Sequence, residues 1–457
     1  MDTFRINEKD NVCVDLTTGH KFAVENITKG ECVIKYGFPI GEATKDIKCG
    51  EWVHTDNMKT RLSGVLDYEY KPSFKALDPI EPLGIEAYVR KNGDIGIRND
   101  IWIIPTVGCV NSTGKALAEK TGALYFAHPY GCSQLGDDNK ITQLVLKGLI
   151  THPNAGGVLV LGLGCENNNI AEMKKVLGDF DAERIRFLNT QDVKNELDEG
   201  IKIINELKEI ASRDKREAVS INRLRVGLKC GGSDGFSGIT ANAVVGRVTD
   251  KLCAMGGTAV LTEVPEMFGA EALLFERCVN EDVFKKGVAL INNFKEYFKS
   301  HGEPVSENPS PGNKEGGITT LEEKSLGCVQ KGGTAPVVDV LNYGDTLTRQ
   351  GLNLLNGPGN DIVSTTNLSA CGCHIILFTT GRGTPLGSAV PTVKIASNDA
   401  LADKKKHWID FNAYGFNTEE KATELLALIK QIADGKKARN EENDCREIAI
   451  FKDGVTL

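Results

Sequence analysis

Leu224-Arg-Val-Gly-Leu-Lys-Cys230-Gly-Gly-Ser233-Asp234-Gly-Phe-Ser-Gly-Ile-Thr-Ala-Asn242 is the stretch that decides the fold of this chain. A short apolar run ends at Cys230, glycines follow it directly, and a helical pattern runs from Thr240 to Leu252. This order predicts a strand, a tight loop and a helix. In open parallel sheets, ligands bind at the carboxyl ends of the strands. We therefore predict an α/β fold with a parallel sheet and a functional site at this loop.

Three other predicted strands also end in a cysteine, over Ile101 to Cys109, Ala123 to Cys132 and Gly157 to Cys165. Because the carboxyl ends of parallel strands share one edge, we expect these three thiols to meet Cys230 there. Thiolates select iron, iron–sulfur clusters or zinc, so the four cysteines predict a metal site. If only three of them ligate, one metal position stays open for a substrate oxygen. The alternative is that each cysteine is a small residue that fits a tight turn.

The composition argues against several classes of protein. The net charge is −8 and no long cluster of Lys or Arg occurs, so nucleic acid is not an expected partner. The N-terminus has no apolar signal segment and no apolar run is long enough to span a bilayer, so we expect a cytoplasmic protein without a membrane partner. The odd count of 13 cysteines in such a chain argues against a disulfide framework.

The patterning divides the chain into four parts. Residues 1–63 show short alternating runs between glycines, which predict a small β domain. Residues 64–83 carry three prolines and no period, which predicts an extended linker to a small domain that could act as a lid. Residues 84–220 and 221–457 alternate strands with helices and are predicted to form two α/β domains.

Two groups of polar residues are candidates for chemistry. In Thr18-Gly19-His20-Lys21, a histidine and a lysine on a glycine turn could transfer a proton and contact an anion, or could simply be exposed. Glu263 and Glu266 follow a predicted strand and could be ligands, acid–base groups or charges at a helix N-terminus. Gly381-Arg-Gly383-Thr-Pro-Leu-Gly387 is one residue too long for the dinucleotide fingerprint, so nucleotide binding is not supported.

Several motifs together resemble one family. They are Thr18-Gly-His-Lys21, Tyr88-Val-Arg-x4-Gly-x-Arg98-Asn99, Gly162-Leu-Gly-Cys-Glu166, Cys230-Gly-Gly-Ser-Asp-x-Phe-Ser-Gly-x-Thr-Ala-Asn242, Asn308-Pro-Ser-Pro-Gly-Asn-Lys314 and Phe378-Thr-Thr-Gly-Arg-Gly383. This set is similar to the altronate/galactarate dehydratase family, which includes sulfolactate sulfo-lyase. The resemblance covers nearly the whole chain. It implies an N-terminal β-clip domain of the SAF type, a dimerising second domain and a Rossmann-like C-terminal domain. It also implies a homodimer and iron-dependent loss of water from a sugar acid.

The expected reaction is dehydration of D-altronate to 2-keto-3-deoxy-D-gluconate in hexuronate catabolism. Galactarate dehydration, a sulfo-lyase reaction and a non-enzymatic iron–sulfur sensor or carrier are the alternatives. Removing a proton α to a carboxylate requires a base, cations on the carboxylate and a Lewis acid for the departing hydroxyl. Iron, as Fe²⁺ or a cluster and with Mn²⁺ as a possible substitute, would be held by three of the four cysteines. The expected site residues are, as catalytic groups, His20, Lys21 and Glu263, and as substrate contacts, Arg98, Ser233, Asp234, Asn242, Lys314 and Arg382.

Overall fold

The computed structural model describes residues 2–62 and 64–457. The predicted domain boundary at residue 63 lies outside these ranges. The chain is mixed α/β, as the sequence predicts, with a small β domain followed by two α/β parts. No helix in the described ranges is long and apolar enough to cross a membrane.

The N-terminal part consists of two small sheets, one of four and one of three strands. The first has the order β1-β2-β3-β6 and the second the order β4-β5-β7. The strands are β1 (Thr3–Phe4), β2 (Val12–Asp15), β3 (Lys21–Ala23), β4 (Cys32–Lys35), β5 (Phe38–Ala43), β6 (Trp52–Val53) and β7 (Met58–Lys59). The alternating runs of the sequence, at residues 11–16, 22–26, 31–36 and 51–54, correspond to β2, β3, β4 and β6, whereas β1, β5 and β7 were not predicted. Residues 64–83 form no regular element, and Tyr68, Tyr70 and Ser73 hydrogen-bond to the C-terminal part.

The second part is built on a four-stranded parallel sheet with the order β11-β10-β12-β13. A three-stranded antiparallel sheet has the order β14-β8-β9, and Asn92-Gly93 lies in the turn between β8 and β9. The strands are β8 (Gly84–Val89), β9 (Ile95–Gly96), β10 (Asp100–Pro105), β11 (Leu124–Tyr125), β12 (Ala155–Gly162), β13 (Ile185–Asn189) and β14 (Arg216–Ser220). The helices are α1 (Asn111–Thr121), α2 (Gly136–Ile150), α3 (Ile170–Leu177) and α4 (Glu196–Ala211).

Alternating side chains of this sheet enter two cores. Ile101, Ile103 and Leu159 pack against α1 and α4, whereas Trp102 and Val158 pack against α2 and α3. Both faces are therefore covered, as parallel sheets require, and the continuous apolar runs of the strands follow from this burial.

The C-terminal part is a seven-stranded sheet, parallel throughout, with the order β17-β18-β16-β15-β19-β20-β21. Its strands are β15 (Arg225–Cys230), β16 (Thr258–Leu261), β17 (Val337–Leu341), β18 (Gly351–Leu355), β19 (Ile375–Thr380), β20 (Thr392–Ala396) and β21 (Phe411–Asn412). Its helices are α5 (Ala241–Ala254), α6 (Glu271–Phe275), α7 (Glu281–Ser300), α8 (Pro311–Glu315), α9 (Leu321–Cys328), α10 (Asp361–Ala370), α11 (Asp399–Lys404), α12 (Thr418–Ala433) and α13 (Arg439–Glu442).

The strand order reverses direction between β15 and β19, because the chain first builds β16 to β18 on one side and then returns to build β19 to β21 on the other. Such a reversal opens a crevice at the carboxyl ends of the two strands, and ligands bind there in open α/β sheets. The loop after Cys230 lies at this crevice, as predicted from the opening stretch.

Helices α2 and α10 pack against each other between the two parallel sheets. Gly148 at the end of α2 lies so close to α10 that an added Cβ would be 2.0 Å from the Ala370 carbonyl oxygen. The residues after Phe451 then continue across the other end of α2, where Asp453 and Gly454 donate to the Asp138 carboxylate. The carboxyl edges of both sheets therefore lie at the same end of the molecule.

One prediction about the cysteines is wrong. Cys109, Cys132 and Cys165 lie at the four-stranded sheet, whereas Cys230 ends β15 of the seven-stranded sheet. The four thiols do not share one edge because the chain builds two separate parallel sheets, and strand patterning alone cannot assign a strand to one sheet or the other.

Candidate active site

A cavity of about 800 Å³ opens at the crevice between β15 and β19. Its wall includes the Cys230–Ser233 loop, the 308–313 loop and the turn at the start of α10. The positions follow from local sequence: glycines at 231 and 232 turn the chain sharply after β15, and Ser310 caps α8 through a reciprocal bond with Asn313. This volume is in the range that holds a small polar metabolite.

Cys230, Glu266 and Cys328 gather at the inner end of the cavity. Their ligand atoms all lie within 4.8 Å of one another, and no other group of three His, Cys, Asp or Glu in the described ranges does so. The Cys230 and Cys328 sulfurs are 3.5 Å apart, and Cys328 Sγ lies 3.7 Å from Glu266 Oε2. All three side chains are buried. Two thiols and a carboxylate in one buried group form a donor set that suits iron or zinc.

The charge state of this group is set by its neighbours. The hydrogen bond from Cys328 lowers the pKa of Cys230 well below its usual value, against the effect of burial and with help from Lys331. The same bond, together with burial, raises the pKa of Cys328. Burial alone would raise the pKa of Glu266, but Lys324 lowers it overall. These shifts favour a thiolate at Cys230 and a carboxylate at Glu266, which are the forms that bind metal.

Three buried lysines surround this group. Lys324 Nζ lies 2.8 Å from Glu266 Oε1 and 2.9 Å from Asn308 Oδ1, and it lines the cavity. The charge of Lys331 helps to lower the pKa of Cys230. Lys229 Nζ lies 2.6 Å from both Glu263 Oε1 and Asp361 Oδ1. Burial opposes the charge on these lysines, but the neighbouring acids raise the pKa of each. Each lysine is thus close to an acidic group, and Lys324 is the one of the three on the cavity wall, where it can also contact an anionic ligand.

Polar groups on the cavity wall are free to contact a ligand. Ser233 lines the cavity, and its Oγ is buried without a hydrogen-bond partner in the described structure. Asp361 lines it as well, with 37% of its side chain exposed. A buried hydroxyl without a partner costs free energy unless a ligand or water completes the bond.

Two residues predicted as substrate contacts instead hold the loop in shape. The Asp234 carboxylate accepts hydrogen bonds from Ser237, Ser397 and Asn398. Asn242 donates to the Gly327 carbonyl and accepts from Thr379 Oγ1. Both side chains make their hydrogen bonds within the protein and hold the Cys230 loop in position.

The prediction that Arg98 contacts the substrate requires a correction. Arg98 lies outside the cavity, and its guanidinium binds the Glu441 carboxylate at 2.7 Å through both Nε and Nη2. Its remaining contacts are the carbonyls of Ile97, Ile432 and Lys436. Arg98 therefore joins the second part of the chain to the C-terminal segment and is a structural clamp rather than a substrate contact.

The other predicted contacts lie on the outer side of the 312–317 segment. Arg382 is 45% exposed and pairs with Glu315 at 3.0 Å. The backbone carbonyl of Lys314 bonds to His54 Nε2 at 2.9 Å. His20 lies beside Trp52 and His54, and its Cα is 3.4 Å from the position of a Cβ added at Gly317. None of these three lines the cavity, although each contacts a loop that does.

His20 and Lys21 differ in their surroundings. Burial and the nearby His54 lower the pKa of His20, which favours the neutral imidazole. Lys21 is buried, and its Nζ lies 2.8 Å from Glu323 Oε2 and 3.0 Å from the Gly317 carbonyl oxygen. Lys35 binds the other oxygen of Glu323, also at 2.8 Å. Two lysines of the N-terminal domain thus share one carboxylate of α9, which docks this domain beside the site.

Glu263 is buried behind the cavity rather than on its wall. Its carboxylate accepts from Lys229 Nζ and, at 2.8 Å, from the Cys230 backbone N–H. It has a left-handed backbone with φ of 71°, a conformation that costs energy for a residue other than glycine. Burial and Cys230 raise its pKa. Its neighbour Glu266 is the carboxylate that faces the cavity.

Sequence reasoning missed Cys328, Lys324, Lys331 and Asp361 as members of the site. Lys324 and Cys328 lie on α9, where no glycine-rich turn or strand end marks them. Asp361 follows the Gly357-Pro-Gly-Asn turn, and this turn was a usable signal because it ends a strand of the same sheet.

Cys109, Cys132 and Cys165 are exposed and lie at neighbouring turns of the four-stranded sheet. The Gly108 N–H donates to the Tyr130 carbonyl, and the Asn168 N–H donates to the Gly131 carbonyl. These bonds hold the three turns side by side, apart from the cavity.

Family models match three successive stretches of the chain. They are described as the altronate/galactarate dehydratase SAF domain (residues 14–61), the D-galactarate dehydratase/altronate hydrolase second domain (residues 87–212) and the D-galactarate/altronate dehydratase C-terminal domain (residues 221–456).

Curated relatives match over most of their length. Altronate dehydratase of Bacillus subtilis is 52% identical over 97% of this chain and 93% of the relative. Galactarate dehydratase (L-threo-forming) of Escherichia coli is 32% identical over 92% of this chain and 86% of the relative. The (2R)-sulfolactate sulfo-lyase subunit beta of Chromohalobacter salexigens is 32% identical over 80% of this chain and 96% of the relative.

Proposed function

The chain belongs to the altronate/galactarate dehydratase family and is a hydro-lyase, and from that premise we propose that it dehydrates D-altronate to 2-keto-3-deoxy-D-gluconate in the cavity at Cys230. The 52% identity to altronate dehydratase, against 32% to the galactarate enzyme, supports D-altronate as the substrate. Lys324 carries the proposal, because it lies on the cavity wall and its ammonium can stabilise the charge that develops on the carboxylate when the α proton leaves.

The cavity offers a place for each part of a sugar acid. The Lys324 ammonium at the inner end would bind the carboxylate and stabilise the enolate formed on it. The unpartnered Ser233 hydroxyl and the amide of Asn308 would hydrogen-bond to substrate hydroxyls along the wall. The proton leaves C2, the hydroxyl leaves C3 as water, and the enol becomes the 2-keto acid.

The donor set at the inner end fits the metal that this family implies. Cys230, Glu266 and Cys328 would hold iron, since two thiols favour it over Mn²⁺, which prefers oxygen ligands. When bound, iron supplies Lewis-acid assistance to the departure of the hydroxyl. The hydrogen bond from Cys328, with Lys331, favours the thiolate of Cys230, and Lys324 favours the carboxylate of Glu266, so the protein would prepare these ligands before metal binds.

Two groups are candidates for the proton acceptor. Asp361 lines the cavity as a partly exposed carboxylate, and we assign proton abstraction to it. His20, the sequence-based candidate, is a neutral imidazole on the other side of the loops that form the wall. If Asp361 is the base, Asp361→Asn lowers kcat by at least about 100-fold while His20→Asn keeps most of it. The reverse order of effects would move the assignment to His20.

A substrate panel tests the function itself. Formation of 2-keto acid from D-altronate and galactarate, and of sulfite from sulfolactate, would be followed on protein purified without oxygen. We expect kcat/KM to be highest for D-altronate. Lys324→Met is expected to lower it by about 100-fold or more, with Lys286→Met, at an exposed lysine far from the cavity wall, as the control. A higher kcat/KM for galactarate or sulfite release would overturn the substrate assignment.

The non-enzymatic alternative has no support. Each curated relative above is a lyase by its printed name, and a carrier would not need a polar cavity beside its ligand group.

A further inference from the structure

Cys109, Cys132 and Cys165 take no part in the proposed active site, although the fold gathers them. Four of the thirteen cysteines are exposed, and these three are among them, with Cys49 as the fourth. Free cysteine is among the most buried residue types, so three exposed thiols at one edge of a sheet require an explanation.

The turns that carry these cysteines are fixed to one another. Gly131, next to Cys132, lies so close to the preceding turn that an added Cβ would be 1.9 Å from the Thr106 carbonyl oxygen. The Asn168 amide donates to that same carbonyl at 3.1 Å. The third turn is held by Glu166, whose carboxylate accepts from Thr106 Oγ1 at 2.6 Å and from the Gly164 N–H at 2.6 Å. The three turns that carry the thiols are therefore held by bonds that do not involve sulfur.

Polar atoms around the three turns lack partners. In the described structure, Asn111 Oδ1, Gln134 Nε2 and Asn168 Oδ1 are buried without hydrogen bonds. Each belongs to a turn or helix start that adjoins one of the cysteines. Gln191 Nε2 also points at Cys165 Sγ, at 3.6 Å. Donors near sulfur are a feature of iron–sulfur sites, where they tune the reduction potential.

The spacing of the three sulfurs argues against a single shared ion. The three sulfurs are not within 4.8 Å of one another, the distance that the Cys230 group satisfies, so they do not suit a single shared ion. In a cubane cluster each thiolate binds a different iron, and the sulfurs stand farther apart. None of the three forms a disulfide in this structure.

We propose that Cys109, Cys132 and Cys165 bind a [4Fe–4S] cluster, separate from the Cys230 centre, whose fourth iron has no protein thiolate. The exposure of the three thiols leaves that iron accessible to water or to a small oxygen ligand. The cluster would lie beyond α2 and α10 from the cavity, since these helices separate the two sheets. The proposal does not depend on which sugar acid the enzyme dehydrates.

Iron and acid-labile sulfide per chain test this proposal on protein purified and reconstituted without oxygen. We expect roughly four irons and four sulfides for the cluster, with a broad visible absorbance. The triple variant with Ser at 109, 132 and 165 should lose the sulfide and the absorbance. Cys49→Ser, at the other exposed cysteine, and Cys230→Ser should keep both. Circular dichroism would verify that each variant folds.

Alkylation of the unmodified protein supplies a second measurement that does not depend on variants. In reconstituted protein, iodoacetamide should label Cys49 but spare Cys109, Cys132 and Cys165, and chelation of the iron should expose all three. Absence of acid-labile sulfide after reconstitution would overturn the proposal. So would a triple variant that retains as much sulfide as Cys49→Ser, or equal labelling of the four thiols before chelation.

Discussion

At the scale of one residue, the Ser233 hydroxyl is a group that the fold leaves available for the substrate. Its hydroxyl lies at the cavity wall, buried and without a partner in the described structure. We expect Ser233→Ala to raise KM about 3- to 10-fold, which corresponds to the loss of one neutral hydrogen bond. The midpoint of thermal unfolding should stay unchanged or rise slightly. Kinetics with D-altronate and a thermal melt measure the two effects. A lower midpoint with unchanged KM would mean that the hydroxyl serves the fold instead.

Which residues could be predicted from sequence depends on the local signal that each one carries. Cys230 and Ser233 follow a strand and a glycine turn, so their place at the crevice follows from general rules of parallel sheets. Asp234 and Asn242 carry the same signal, yet they bond to Ser397, directly after β20, and to Thr379 on β19, which come much later in the chain. The direction in which a polar side chain points depends on such distant partners, and no local pattern contains them.

At the scale of elements, the contact between the N-terminal domain and α9 depends on one carboxylate. Lys21 and Lys35 bind the two oxygens of Glu323, and all three side chains are buried. Glu323→Gln leaves two buried ammonium groups without their counter-charge, and we expect a loss of roughly 3–5 kcal/mol in the stability of this contact. Amide hydrogen exchange measures this loss, which should appear as faster exchange in β2 and β3.

The exposed pair Lys45–Asp56 of the same domain provides the control for this change. Its side chains are 59% and 58% exposed, so Asp56→Asn should alter stability by less than about 1 kcal/mol. Equal exchange rates in the Glu323 and Asp56 variants would contradict the role given to Glu323.

The same contact predicts a dependence on pH. Burial lowers the pKa of Lys21 from 10.5 to about 8, although Glu323 opposes this effect. The unfolded chain therefore binds more protons between these values, and the contribution of Lys21 to stability rises as pH increases from about 8 to 10.5. This contribution should appear as a rise in melting temperature over the same pH range, and Lys21→Met should remove it. An unchanged pH profile in the variant would show that Lys21 keeps its ordinary pKa.

At the scale of the whole molecule, the α/β class, the parallel sheet and the crevice at β15 were predicted from strand and turn patterns, and the Rossmann-like C-terminal domain from the family resemblance. The separation of the strands into two parallel sheets was not, because the runs ending at Cys165 and Cys230 look alike in sequence. The role of Arg98 was missed for a related reason: its partner Glu441 is 343 residues away. The homodimer remains a prediction, and light scattering on the full chain would measure it.

Cys328 supplies the most direct test of the central claim, that the cavity around Cys230, Glu266 and Cys328 is where dehydration occurs. No motif marked this residue, and only the fold brings its sulfur within 3.5 Å of Cys230. The measurement is kcat for D-altronate dehydration by Cys328→Ala, with bound iron determined on the same sample. Cys278→Ala, which changes a buried cysteine away from the cavity, is the control. We expect the Cys328 variant to fold, to lose iron from this centre and to fall at least about 100-fold in kcat, whereas the control keeps its activity. A folded Cys328 variant with normal kcat would contradict the claim.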